Sequence, residues 1–346
     1  MKAHFLNKIF KENLNFLPKW HGALANHTSM AATAMFLMSE YGCFDERGIK
    51  KQADNYMQNL TPNRINQSLI DLGGLDWTMQ QSLLGRDDFY ESWKSYFINE
   101  LSSNDHKVVI ALWLERLGVG VSAAAGHSLI RLAYGLMAEP YLERKVFIEE
   151  VAVCLSDYCS RYLALSENKP DISTRKTSLS QYILQGSDLS SKNREILNSC
   201  SLIEDKYFIC RNFSEFKQAT MSVNVMFDFE KVLENIVSIS IVNPDFALLH
   251  CITLAHAVLY LTDVLPAFEQ RPLYQGYRDY VIAALLCQNL KMQKFEKQSI
   301  SINNLWQKIS DLENTHSQKI AFSLIELSKR YDSPLYLQSV VSFINK

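Results

Sequence analysis

The chain has 346 residues, 47% of them hydrophobic and 21% charged, with a formal net charge of −2. That is enough apolar material for one large core or two, and the near-neutral balance, with Lys and Arg scattered, excludes the basic footprint of a nucleic-acid-binding protein. Seven cysteines, odd in number and without a Cys-x-x-Cys pair, argue against a disulfide framework and a thiolate zinc site.

The N-terminal MKAHFLNKIFKENLNFLPKW breaks its apolar residues with Lys, Asn and Glu, so it lacks the continuous apolar core of a signal peptide. No run of about eighteen apolar residues implies a membrane span. A reduced, cytoplasmic protein is expected. Gly and Pro are scarce and strand-like alternation is rare, so helical spacing dominates and the predicted fold class is all-α. Residues 26–41 place Met30, Ala34, Met38 and Tyr41 on one face. Helices over 106–118 and 126–139 flank the small-residue stretch GVGVSAAAG, and 143–166 aligns Phe147, Val151, Leu155, Tyr158 and Tyr162. Further helices are predicted over 245–263, 275–290, 301–312, 316–330 and 335–344.

Breaks fall at Gly73-Gly74, Glu139-Pro140, Lys169-Pro170, Asn243-Pro244 and Ser333-Pro334. Residues 165–177, LSENKPDISTRKT, read as a surface loop inside one domain spanning 1–346, or as a division between two.

The histidines do not follow the polar pattern of a surface. His4 and His106 have polar neighbours, and His21 sits in a turn-like Trp-His-Gly. His27, His127, His250, His256 and His316 each lie in or at the start of an apolar helix. His27 follows Asn26, a capping residue, and His316 follows the capping pair Asn314-Thr315. His316 and Lys319 are three apart and leave the same helix face. A lone histidine on such a face is ordinarily a hydrogen-bonded core residue, and a lysine there ordinarily snorkels to water. Four on separate helices are also how helical bundles build metal sites. His250 and His256 are six apart, so at most one of them faces a shared site.

Four stretches carry a family resemblance: GALANHTSMAATAMFLM, GVGVSAAAGHSLIRLAYGL, LLHCITLAHAVLYLTDVLPAF and ENTHSQKIAFSLIELSKRYDSPLYL. With the connecting LGRDDFYESWKSYFINEL, they resemble the questin oxidase-like family in the same order along the chain. The resemblance implies a helical bundle with a mononuclear non-heme Fe(II) between core helices, held by His27, His127, His250, His316 and a carboxylated Lys319. A carbamate formed from carbon dioxide on a neutral lysine is a hard oxygen donor suited to iron, manganese or zinc. The implied activity is that of an oxidoreductase, a dioxygenase or Baeyer–Villiger-like oxygenase using O2 on an aromatic, quinone or polyketide-like small molecule. Some members use NADPH, for which the chain has no glycine-rich fingerprint. Arg131, Tyr134 and Thr253 stand beside the histidines as possible supports, and Trp77 and Trp113 as possible aromatic clamps. Two other readings stay open: a zinc-dependent hydrolase on the same residues, and a non-enzymatic helical scaffold.

Overall fold

Capping side chains mark where the helices that matter here begin. The computed structural model describes residues 2–20, 24–63, 69–166, 177–186, 189–242, 245–288 and 305–344. His21, the Lys169-Pro170 and Asn243-Pro244 breaks, most of the 165–177 stretch and the start of the predicted 301–312 helix lie outside the described residues. Asn26 Oδ1 accepts the Thr28 amide at 3.0 Å, which starts the helix Thr28–Met38, and Asn13 Oδ1 holds the Asn26 amide group at 2.8 Å. Asp245 Oδ1 accepts the Ala247 amide at 2.7 Å at the head of Phe246–Val264. Asn314 Oδ1 accepts the His316 amide at 2.8 Å at the head of Thr315–Tyr331. Each cap satisfies an amide that a helix start leaves without a partner.

The chain is all-α, with eighteen α-helices among the described residues. The one strand pair described, Lys19–Trp20 against Leu24–Ala25, is two residues long on each side. Thr28–Met38 packs on His127–Ala138 and on Thr315–Tyr331, and Phe246–Val264 packs on both of those. The four helices therefore form a closed ring. Three of them, His127–Ala138, Phe246–Val264 and Thr315–Tyr331, run the same way: His127, His250 and His316 meet at one level, and Tyr134, His256 and Ser323 meet about two turns further along. Phe246–Val264 is long and apolar enough to cross a membrane by composition, and most of it is buried in the core.

Small residues permit this packing. A Cβ built on Gly276 would stand 2.2 Å from the Gly118 carbonyl oxygen, so the helix Arg271–Cys287 rests directly on the Gly118–Gly120 turn. The predicted 143–166 helix ends earlier, as Arg144–Ser160, because Leu163 leaves to pair with Val121 in a parallel bridge. Helices Lys2–Asn13, Glu46–Met57 and Tyr90–Ser103, and those between Leu179 and Val242, were not anticipated. His106 is not a free surface residue: its Nε2 lies 3.0 Å from Glu139 and its ring meets Phe147 edge-on.

Candidate metal centre

His27 is the N-cap of its helix, His127 and His316 stand in the first turns of theirs, and His250 is one turn into its own. Their rings meet. His27 stacks on His127 at 4.7 Å between centroids and meets His316 edge-on at 4.3 Å. Nitrogens of His27, His127 and His316 all lie within 4.8 Å of one another. His250 joins through His127, Nε2 to Nε2 at 3.0 Å. Lys319 is 1% exposed, and among the described residues neither its Nζ nor the buried Nε2 of His316 has a hydrogen-bond partner.

The tautomers follow from the outer contacts. His127 Nδ1 lies 2.7 Å from the Ala124 carbonyl oxygen, and His250 Nδ1 lies 2.7 Å from that of Phe246. A carbonyl only accepts, so both Nδ1 atoms carry the proton and both Nε2 atoms present lone pairs. Those lone pairs face each other at 3.0 Å. Two lone pairs at that distance repel unless a cation lies beside them. Orientation of imidazoles by carbonyls behind them is the usual support of a metal-ligating histidine.

A strained turn delivers one of those carbonyls. Ala124 and Ala125 have φ of 52° and 54°, and Gly126 follows at 88°. Left-handed backbone costs a non-glycine residue roughly 1–2 kcal/mol, and it persists here where Ala124 holds His127 and Ala125 accepts the Tyr280 hydroxyl at 3.0 Å. This is the chemical content of the small-residue run before His127.

Burial keeps the cluster unprotonated. It lowers the His27 and His127 pKa values well below the ordinary one and takes His250 to about 3, with the Lys319 charge adding to the effect. His316 is lowered for the same reasons. Burial alone takes the Lys319 amine down to about 7. Four helix N-termini at the same place add partial positive charge that also disfavours imidazolium.

A cleft of about 250 Å³ opens onto His27, His127 and His316. Its aromatic walls are Tyr56, stacked on His27 at 6.1 Å, and Phe246, 4.2 Å from His250 and 4.6 Å from His316. Ser201, Leu202, Ile203 and Glu204 close it, with Glu204 bound to Arg161 at 2.5 Å. Burial holds the Glu204 carboxyl above its ordinary range despite Arg161. Tyr56 and the residues from Ser201 to Glu204 come from helices and turns with no histidine of their own, whereas Phe246 heads the His250 helix and reads as one more apolar residue.

The remaining candidates lie elsewhere. Arg131 makes a two-pronged bond to Glu150 at 2.7 and 2.8 Å. The Tyr134 hydroxyl donates to the Lys319 carbonyl at 3.3 Å and so braces that helix. Thr253 bonds back to the Leu249 and His250 carbonyls. Trp77 and Trp113 pack with each other and with Arg116, and Trp113 with Trp93, Tyr96 and Phe97, so they clamp nothing at the cluster. His256 faces away from the cluster and lies 3.1 Å from Ser323 Oγ.

No curated protein matches the chain. A model of the clostridial neurotoxin zinc protease family matches residues 102–269, just under half of the sequence, a stretch that includes His127 and His250. That similarity overturns the questin oxidase-like reading and the reaction, cofactors and partners it implied. A zinc protease cuts an amide with water and needs no oxidant. The zinc protease description of the matched family stands against an oxidoreductase, Fe(II), the Lys319 carbamate and NADPH, and against O2 with an aromatic small molecule as partners. The likeness does not extend to the His-Glu-x-x-His helix of many zinc proteases: Ser128 follows His127 and Cys251 follows His250.

Proposed function

We propose that the chain is a zinc-dependent hydrolase that cuts an amide bond, with His27, His127, His250 and His316 as the residues that would hold the ion. The observation that carries this reading is the pair of unprotonated Nε2 atoms of His127 and His250, 3.0 Å apart, with their Nδ1 protons committed to carbonyls. The donor set fits: neutral imidazoles suit zinc, and ligands about 2.0–2.1 Å from one ion stand roughly 3 Å apart. When bound, zinc supplies Lewis acidity, polarising a carbonyl and lowering the pKa of water to about 7.

The chain's own residues do the rest. The Ala124 and Phe246 carbonyls and Thr315, whose hydroxyl lies 3.2 Å from His27 Nδ1, hold three rings in place. The converging helix N-termini favour the negative charge that develops on an attacked carbonyl oxygen. Phe246, Tyr56 and Leu202 keep bulk water from the cleft. Glu204, on the cleft wall and weakly acidic for a carboxyl, is suited to take a proton from water and return it to the leaving amine. The family similarity favours a protein substrate over other amides.

Elemental analysis of protein purified without a chelating tag, paired with cleavage of a fluorogenic peptide library, tests this. About one zinc per chain is expected, with cleavage lost to a chelator and restored by zinc. Absence of zinc binding, or cleavage indifferent to the chelator, contradicts it.

A further inference from the structure

The cleft that opens onto His27, His127 and His316 is small, about 250 Å³, below the roughly 300–1,000 Å³ of pockets that enclose a whole drug-sized ligand. It has room for one side chain and the amide beside it.

Two large apolar residues on its wall are left in the open. Leu24, on the short strand Leu24–Ala25, and Phe246, the first residue of Phe246–Val264, are each 44% exposed. Single exposed apolar residues are ordinary on a protein surface. These two come from distant parts of the chain and share one cavity with Leu202 and Ile203, both half-buried. The Phe246 ring lies 4.2 Å from that of His250 and 4.6 Å from that of His316, so the apolar wall runs up to the imidazoles.

Charge does not compete with this lining. Among the described residues the acidic and basic side chains on the wall, histidines aside, are Glu204 and Arg161, and they are bonded to each other at 2.5 Å. Such a pair offers a ligand no net charge, and an ionised group entering beside it would give up water for little in return. A neutral apolar group loses nothing there and takes the open faces of Leu24 and Phe246 out of water.

We infer that the cleft receives one large apolar side chain of the substrate, such as that of phenylalanine or leucine, next to the amide that is cut, with Leu24 and Phe246 selecting it. The inference rests on the hydrolytic reading in placing that side chain on a substrate; the apolar selection comes from the wall itself.

Calorimetric titration of the intact, metal-free chain with N-acetyl-phenylalaninamide and N-acetyl-alaninamide measures the selection without catalysis. Cleavage of a fluorogenic peptide library by the zinc-loaded chain, sorted by the residues that flank the cut, measures it in the reaction. The phenylalanine probe is expected to bind at least about ten-fold more tightly than the alanine probe, the discrimination an apolar pocket makes on hydrocarbon size. Leu24→Ala and Phe246→Ala should each narrow that ratio about three- to ten-fold. Thermal unfolding verifies that the variants fold, and Leu24→Ala, at an exposed strand position, serves if Phe246→Ala does not. Equal affinity for the two probes, no binding of either, or a ratio unchanged in folded Leu24→Ala overturns the inference. Cleavage without preference for an apolar flanking residue also overturns it and leaves the hydrolase reading standing. Selective binding with no cleavage removes the hydrolase reading and leaves the cleft as a site for an apolar side chain.

Discussion

Arg131 and Lys319 are both basic side chains in opposite helices of the ring, 3% and 1% exposed, and they are housed in opposite ways. Arg131 has Glu150 against it in a two-pronged bond, with both partners buried. Among the described residues Lys319 has no acceptor at Nζ, imidazoles stand around it, and burial takes its amine down to about 7. An ion buried for architecture comes with its counter-ion, because an unpaired buried charge costs several kcal/mol. A cluster of nitrogen donors gathered without a carboxylate serves no such purpose. In the function proposed here, such a cluster receives a cation that the chain does not supply.

The comparison breaks if the two regions respond alike to mutation. The largest effect is expected at the cluster. His127→Ala or His250→Ala should abolish zinc retention after dialysis, read by elemental analysis, with unfolding temperature of the metal-free protein little changed. Glu150→Ala should do the reverse, lowering stability in denaturant by about 3–5 kcal/mol because it strands Arg131, with zinc stoichiometry intact in the folded fraction.

His256 sharpens the contrast within one helix. Burial lowers it to about 4, against an ordinary value of 6.5. The neutral ring is the buried form, so the unfolded chain binds the proton first as the pH falls. Its contribution is full above pH 6.5, is lost between there and about pH 4, and amounts to about 3 kcal/mol. Unfolding of His256→Gln followed over that range should lose this part of the pH dependence. The smallest effect is expected at Lys319: with no counter-ion to strand, Lys319→Met should stabilise the metal-free chain by about 1–4 kcal/mol in denaturant unfolding at pH 6. A destabilised Lys319→Met would mean the amine has a partner after all.

Much of the helical layout was legible. The Asn314 cap and the apolar spacing that follows predict a helix over 316–330, observed as Thr315–Tyr331. Tyr162 shows the limit: it continues the period of the helix before it, yet lies beyond the helix end, because a bridge between Val121 and Leu163 takes the backbone away. Phe246 and Tyr56 were illegible as cleft walls for a related reason. Phe246 reads as one more apolar residue, and Tyr56 belongs to a helix whose polar composition hides its position beside His27. The oxygenase expectation fails differently, since a pattern of histidines offers nitrogen donors without specifying a metal or a reaction.

By itself the sequence determined that the chain is helical, where its caps lie, and that five histidines and Lys319 stand on apolar faces. These are local properties, set by side-chain period and by amides needing partners within a turn. The tertiary structure decided that the starts of four helices meet, that His250 and not His256 turns inward, and that the Ala124 and Phe246 carbonyls hold two rings with lone pairs facing. His127 meets His250 across 123 positions and His256 meets Ser323 across 67, and only the packing of the helix ring sets such distances.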